Sequence, residues 1–438
     1  MTPGLWMLAA EILPFVHGIF YVTLQSTLLT GLFLEGRRER RVLSLAGRRG
    51  AGGPGKTGQA GAYEAGRSPV FGGTTPFPGV SVIVPVHNEE KRLPALLEDL
   101  AAQDYREAEI ILVDDRSTDG TGVLLSGFAR GRDHVRVLSL EENPGPNHKQ
   151  YALGRALETA GGKLVLFTDA DCRLSPGWIR AMAERMEDPR TGAVIGPVFR
   201  QWRTAGRPEK KQGPGGFLRN YQIYDHVVRF VYLAGAVGLG AAGGGFGNNL
   251  ILRRAALEEA GGYAAVPPSP TEDAALISLI RSSTAYQIRS ALGRETHVFT
   301  GVENSWKALI NQTLRWNNGG LFSPELLTRI NYTVLMLTIA ASVLAFFLLP
   351  LFPKLWPMPL AQLIVMAENT VGALFIAGGG ALGGTAVKGA GGDIKTRSSL
   401  PPVFWIREFF FMPFYMTLMT VLGFLGVKTT WKESAVKP

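Results

Sequence analysis

The sequence predicts an α/β domain built on a parallel sheet and flanked by membrane-spanning helices. Four strand–helix alternations follow Val80, and four long apolar runs lie on either side of them. A pair of carboxylates at the end of the fourth strand marks where a ligand would meet that sheet.

The first apolar run, residues 5–34 (LWMLAAEILPFVHGIFYVTLQSTLLTGLFL), carries one charge, Glu11, and is long enough to span a bilayer. Residues 333–352, 359–382 and about 402–426 read the same way. No Lys or Arg precedes the first run, and it is too long for a cleaved signal peptide. "EGRRERR" follows it directly, so the positive-inside rule expects the N-terminus outside and the next segment in the cytoplasm. The expectation is a multi-pass protein of the plasma or inner cell membrane with its soluble domain cytoplasmic. Three full C-terminal spans would put "KTTWKESAVKP" outside, against that rule. Residues 402–414, with Arg407, Glu408 and Pro413, are therefore also read as interfacial or re-entrant.

Charge points the same way. The formal net charge of +9 is accounted for by a juxtamembrane cluster, Arg37, Arg38, Arg40, Arg41, Arg48 and Arg49, that attracts anionic headgroups. Aromatic and basic residues are not interleaved, so nucleic acid is excluded as a partner. The single cysteine, Cys172, rules out an internal disulfide and suits a cytosolic domain.

Residues 35–79 are rich in Gly and Arg and nearly aperiodic, the pattern of a flexible linker. Within it "GAGGPGKT", Gly50 to Thr57, satisfies the P-loop spacing. A working P-loop needs a buried strand before it and a helix after it. "RVLSLAGRR" is short and charged, and "GQAGAYEAGRSP" is too rich in helix breakers, so the match is fortuitous.

From Val80 the pattern changes. "VSVIVPV", "EIILVDD", "VRVLSL" and "KLVLFTDAD" read as buried strands. "EEKRLPALLEDLAAQ", "STDGTGVLLSGFARG", "NHKQYALGRALETA" and "SPGWIRAMAERME" read as the helices between and after them, the second opened by a capping cluster. The second strand ends at Asp114 and Asp115 and the fourth at Asp169 and Asp171. "HNEE", with His87, Asn88, Glu89 and Glu90, follows the first. Three strands thus bring acids to one rim, where open α/β sheets bind ligands. A lone D-x-D at a strand end is weak evidence; this convergence is not.

Carboxylates without a Gly-rich phosphate cradle suit a hard divalent cation, Mg²⁺ or Mn²⁺, that itself holds a diphosphate. No His/Cys pair has zinc spacing. Lys149 at a helix start would add a cation near the same phosphates, a surface lysine being the plain alternative. "TEDAAL" places Thr271, Glu272 and Asp273 at a helix start, which capping alone would explain. "NSWKALINQTLRWNNGG" puts Gln312, Arg315 and Trp316 on adjoining turns of an amphipathic helix, with an interfacial anchor as its plain reading.

Taken in order, "VIVPVHNEE", "ILVDDRSTDGT", "HKQYAL", "FTDAD", "TEDAAL" and "QTLRW" resemble the inverting family 2 glycosyltransferases of GT-A fold. The likeness is strongest to the membrane-bound branch of cellulose, hyaluronan and poly-N-acetylglucosamine synthases and ceramide glucosyltransferases. It covers roughly Val80 to Trp316. The resemblance implies a Rossmann-like GT-A domain for nucleotide-diphospho-sugars over residues 80–329. Residues 1–34 would be a transmembrane helix, 35–79 a linker, and 330–438 a membrane region with about three hydrophobic segments. It implies that Val86, His87, Asp114 and Asp115 hold base and ribose, with Glu89 beside them. Lys149 would touch the diphosphate, and Asp169 with Asp171 would bind ribose and metal. Asp273 would be the general base, and Gln312, Arg315 and Trp316 would lie near diphosphate and acceptor. "GGGFGNNLILRR" resembles the segment that holds the acceptor end, through Asn248 or Asn249. Two residues depart from the pattern: Arg116 stands where D-D-G-S has Gly, and His148 where Gly precedes the Lys. The polar insertion at 203–216 is expected to form a loop near the acceptor.

The expected activity is inverting transfer from a nucleotide-sugar, UDP-linked, to a membrane lipid acceptor at the cytoplasmic face. The alternative is a processive synthase that makes and exports a β-linked glycan.

Overall fold

A computed structural model describes residues 3–50, 79–145, 147–201, 216–380, 406–427, 429–431 and 434–436. The Gly50–Thr57 match and the 203–216 insertion lie almost wholly outside the described residues.

Helix α1 (Pro3–Gly50) precedes the sheet. The four expected units follow as β1 (Val80–Val86), α2 (Leu93–Ala101), β2 (Ala108–Asp115), α3 (Thr121–Ala129), β3 (Val135–Leu140), α4 (His148–Thr159), β4 (Leu164–Phe167) and α5 (Trp178–Glu184). Then come β5 (Thr191–Ile195), β6 (Val198–Gln201), α6 (Gly216–Gly238), β7 (Leu250–Arg253), α7 (Arg254–Glu259), α8 (Glu272–Ser283), β8 (Gln287–Ser290) and β9 (Val298–Gly301). Helices α9 (Trp306–Leu321), α10 (Leu326–Leu348), α11 (Pro357–Ala377) and α12 (Ile406–Phe424) close the chain with a hairpin, β10 (Thr429–Trp431) and β11 (Ser434–Val436).

Seven strands form one sheet in the order β3-β2-β1-β4-β7-β5-β8. The first four are parallel, as the sequence predicts, but β7 runs antiparallel to both β4 and β5. The sheet is therefore mixed. "LILR" is apolar in either direction, so periodicity carries no sign of the reversal, which the long α6 excursion makes possible. Alternate side chains of the central strands feed two cores. Val82, Val84, Ile110, Leu112 and Leu166 pack toward α2 and α5, and Ile83, Ile111, Val113 and Phe167 toward α4, α6 and α8. Each such buried aliphatic side chain contributes about 1.5–3 kcal/mol.

The expected linker boundary at residue 35 is not where α1 ends. The helix continues without a break to Gly50, because "LEGRRERRVLSL" is mostly strong helix formers and carries one glycine. This extension docks on the domain. Glu39 accepts N–H bonds from Leu292 and Gly293 and pairs with buried Arg185 at 2.5 Å. Glu35 accepts from Ser290 and faces Arg289. Removing one partner of a buried pair like Glu39–Arg185 costs roughly 3–5 kcal/mol.

Three described helices are long and apolar enough to cross a membrane: Glu11–Val42, Leu326–Leu348 and Pro353–Ala377. The fourth expected span is not among them, since Arg407, Glu408 and Pro413 lower the hydropathy of α12, which is itself continuous. Its first half packs on Trp306 and Phe217, its end on Asn318 and Leu321, and the final hairpin on α9. Both ends of α12 thus lie beside α9, which follows the sheet directly. Helix α1 packs on α6 and α11. It crosses α6 so closely that a Cβ on Gly31 would lie 2.2 Å from the Gly235 carbonyl oxygen.

Candidate functional site

A single cavity of about 1100 Å³ opens at the carboxyl ends of the strands and continues into the helices. Of the residues singled out in the sequence, Val86, His87, Glu89, Asp115, Lys149 and Asp169 line one part of it. Asp171, Asn248, Asp273, Gln312, Arg315 and Trp316 line the rest. Asp114 does not. Its Oδ1 accepts the Ser117 N–H at 3.0 Å and closes the turn after β2. Of the two asparagines, Asn249 is structural: it is fully buried, donates to the carbonyls of Pro197 and Thr296, and accepts from the Trp178 indole. Asn248 faces the cavity.

The base of the rim is an alternating set of charges. Helix α4 starts where Asn147 accepts the Gln150 N–H, and this cap leaves Lys149 in the first turn, pointing at the strand ends. Its Nζ lies 2.8 Å from Asp169 Oδ1 and 3.2 Å from Glu272 Oε1. Burial works against the ammonium, yet these two acids outweigh it and hold its pKa above the ordinary lysine value. Asp171, two residues past Asp169, accepts from Thr300 and faces Arg92 at 3.7 Å. Burial, then the charge of Asp169, push its carboxyl upward. Among the described residues no three His, Cys, Asp or Glu side chains converge as a complete metal cage. The pair nevertheless fits a hard cation. Mg²⁺ takes one or two carboxylates and completes its shell with phosphates and water, and a cation between Asp169 and Asp171 relieves their repulsion.

Asp273 sits in the first turn of α8. Thr271 makes no side-chain cap there, and the two acids do not serve the helix alone: Glu272 turns to Lys149. Asp273 Oδ2 accepts the Gly247 N–H at 2.6 Å and Oδ1 accepts the Ala274 N–H at 2.8 Å. Gly247 allows this approach, since a Cβ there would lie 3.1 Å from the carboxylate oxygen. Desolvation, then the charge of Glu272, raise the pKa to about 6, against the opposing pull of Lys149 and the two N–H bonds. A fixed carboxylate that titrates near neutrality is a competent general base.

Past the ends of β1 and β2 the two departures meet. Arg116 adopts φ +60°, the left-handed conformation for which Gly is the usual choice. Its guanidinium grips Asp115 at 2.9 Å and reaches His148 Nδ1 at 3.2 Å. His87 Nδ1 lies 2.6 Å from the Asp115 carbonyl.

Helix α9 forms the far wall. Ser305 caps it by accepting the Ala308 N–H. Gln312 donates to Glu303 and accepts from Arg200 at 2.5 Å, while Arg315 donates to the Pro270 carbonyl. Burial lowers the pKa of Arg315, opposed by Glu272, Asp273 and Asp169. Trp316 has the guanidinium carbons of Arg200 and Arg229 at 5.6 and 5.5 Å from its ring centre, and the His226 ring at 5.5 Å. These three residues were missed in the sequence. Arg200 is the third residue of a four-residue strand and carries no local signal. The i,i+4 pair Asp225–Arg229 inside an otherwise apolar stretch of α6 was legible.

Part of the chain matches known proteins. The family described as Glycosyl transferase family 2 matches residues 81–257. Glycosyltransferase GlyG of Streptococcus pneumoniae is 32% identical over 120 residues, 27% of this chain and 39% of that protein. Poly(ribitol-phosphate) beta-N-acetylglucosaminyltransferase TarS of Staphylococcus aureus is 42% identical over 117 residues, 26% of this chain and 20% of that protein. The chain thus spans well under half the length of these curated relatives. Mannosyltransferase PcManGT of Pyrobaculum calidifontis, solved in complex with GDP-Man and Mn²⁺, superposes with a TM-score of 0.45 at 18% identity. That match covers 95% of this chain and all of the other. Residues 81–257 thus carry a domain of the Glycosyl transferase family 2 type, and its acid rim shares one cavity with Asp273.

Proposed function

We propose that the protein transfers a sugar from a nucleotide-diphosphate donor, UDP-linked, to a hydroxyl of a membrane lipid, with inversion. The observation that carries this reading is the continuity of the cavity. From Asp273 it passes Trp316 and reaches a gap walled by Phe20, Leu24 and Leu28 of α1 and by Leu327, Val334 and Leu335 of α10. Helices α1 and α10 meet through His17 and Ser342, at 2.9 Å, and separate toward the domain. Several of these wall residues are exposed, with Phe20 at 47% and Leu327 at 56%, as a lateral mouth to lipid requires.

In this reading the donor nucleoside lies against Val86, His87 and Asp115, and its diphosphate against Lys149 and Arg315. Asp169 and Asp171 would hold Mg²⁺ or Mn²⁺, which when bound offsets the charge of the departing diphosphate. Asp273 takes the proton of the acceptor hydroxyl as its oxygen attacks the anomeric carbon from the face opposite the leaving group. Arg315 and Lys149 hold the diphosphate oxygens as negative charge develops. An α-linked donor gives a β product. In the same reading α1, α10 and α11 span the cell membrane and residues 80–329 lie on its cytoplasmic side, supported by the length and apolarity of those three helices.

One observation favours the processive alternative. Gln25, Asn369 and Tyr232 form a hydrogen-bonded polar chain among α1, α11 and α6, of the kind that lines a glycan path. Purified protein given labelled nucleotide-sugars and extracted membrane lipids decides between them. Organic-soluble label, lost in excess chelator and restored by Mg²⁺ or Mn²⁺, is the expected result. A water-soluble polymer supports the synthase, and no turnover of any nucleotide-sugar overturns both.

A further inference from the structure

The cavity holds a buried cation that the reaction above does not use. Arg200 is 7% exposed and lines the wall beside Trp316. It donates to the Gly301 carbonyl and to Gln312 Oε1, both neutral oxygens. Among the described residues no carboxylate oxygen lies within 4.0 Å of it. Glu303, then Asp171 and Asp225, favour its charge from beyond ion-pair distance, and Gln312 stands between Arg200 and Glu303, donating to that acid at 2.9 Å. Across the same indole, Arg229 is neutralised by buried Asp225 at 2.7 Å, so Arg200 is left as the uncompensated charge. His226, held neutral by burial and by both arginines, adds no negative charge to offset it. A guanidinium taken out of water is costly unless an anion joins it. Its planar fork matches the oxygens of a phosphate.

We propose that Arg200 binds a phosphate group of the acceptor, so that the acceptor is an anionic lipid whose headgroup carries a free hydroxyl beside its phosphate. This rests on the lipid-acceptor reading above. The three demands on the ligand come from three parts of one cavity. Asp273 requires a hydroxyl, Arg200 an anion, and the exposed apolar walls between α1 and α10 an acyl chain. A glycerophospholipid with a hydroxyl-bearing headgroup satisfies all three. Trp316 has both guanidiniums within 5.6 Å of its ring centre, on the Arg200 side of the cavity.

The test uses the purified full chain, labelled donor, and phosphatidylcholine vesicles doped equally with phosphatidylglycerol or with diacylglycerol. Soluble glycerol phosphate forms a third arm. The wild type should favour phosphatidylglycerol over diacylglycerol in kcat/KM by about tenfold or more, the worth of one charge-assisted contact. Arg200→Gln should collapse that ratio, chiefly through KM for the phospholipid, while nucleoside diphosphate affinity is kept. Arg200→Lys, which retains charge but not the fork, should recover part of it. If Arg200→Gln loses nucleotide binding through misfolding, the several-fold fall in the ratio expected of Arg200→Lys carries the test. Equal use of the two lipids by the wild type, or a ratio that survives both substitutions, overturns the proposal. Transfer to glycerol phosphate but to no lipid keeps the phosphate subsite and overturns the lipid reading instead.

Discussion

At the strand ends, charges answer one another: Lys149 touches both Asp169 and Glu272, and Arg92 bridges Glu89 and Asp171. On the far side of the cavity, Arg200 and Arg315 rest on backbone carbonyls, a side-chain amide and an indole. The first region is electrostatically complete apart from the repulsion between Asp169 and Asp171. The second is short of negative charge. That contrast suits a cation on one side and anions on the other, which is what the proposed metal-bound diphosphate and anionic acceptor would bring. Asp273 lies between the two regions and titrates in the range where such a base is useful.

The sharpest way to break this contrast is at its midpoint. Asp273→Asn removes the base but keeps the side chain's shape and, through its one amide oxygen, one of the two N–H bonds, and turnover should fall by about two orders of magnitude or more. Nucleotide binding should persist, and near-native turnover would remove Asp273 from the mechanism. A second substitution addresses the charge-paired side. Lys149 lowers the pKa of Asp273, so Lys149→Met should move the acid limb of the kcat/KM profile upward from about pH 6, the wild-type value for Asp273. The sign follows because losing a nearby cation favours the protonated carboxyl. Donor KM should rise as well, and an unmoved limb would show that Lys149 does not act on Asp273. The smallest effect is expected at the lipid mouth. Leu24→Trp narrows the gap between α1 and α10 and should raise the KM for a lipid acceptor several-fold, with nucleotide affinity unchanged in a binding titration. A change in nucleotide affinity alone would place the mouth elsewhere.

The two regions also differed in how far the sequence exposed them. The charge-paired side was legible because its residues sit at strand ends, where period two and the direction of a parallel sheet fix which carboxylates share a rim. Asp114 is the exception: its neighbour Asp115 faces the cavity while it turns back to Ser117, and the strand's end says nothing about that turn. The anion-poor side was not legible as a unit. Arg200, Arg229 and Trp316 come from β6, α6 and α9, and only tertiary packing brings them to one ring. Arg116 shows the limit from another direction. Its departure from glycine was visible in the sequence, but the contact with His148, the other departure, was not. The reversed strand β7 was hidden for a different reason, since apolarity has no direction.

Under the proposed activity helix α1 leaves the lipid, and it reaches the sheet as one continuous helix, fastened through Glu35 and Glu39 to the end of β8. In that reading a mast of this kind sets the altitude of the pocket above the bilayer, because the segment after Pro14 runs as unbroken helix to the domain. A growing headgroup therefore has to come to a fixed height. Under the proposed activity, each transfer lifts the next free hydroxyl away from Asp273 by one sugar, while the acyl chains stay pinned below. The mast then acts as a ruler: the enzyme counts by losing reach.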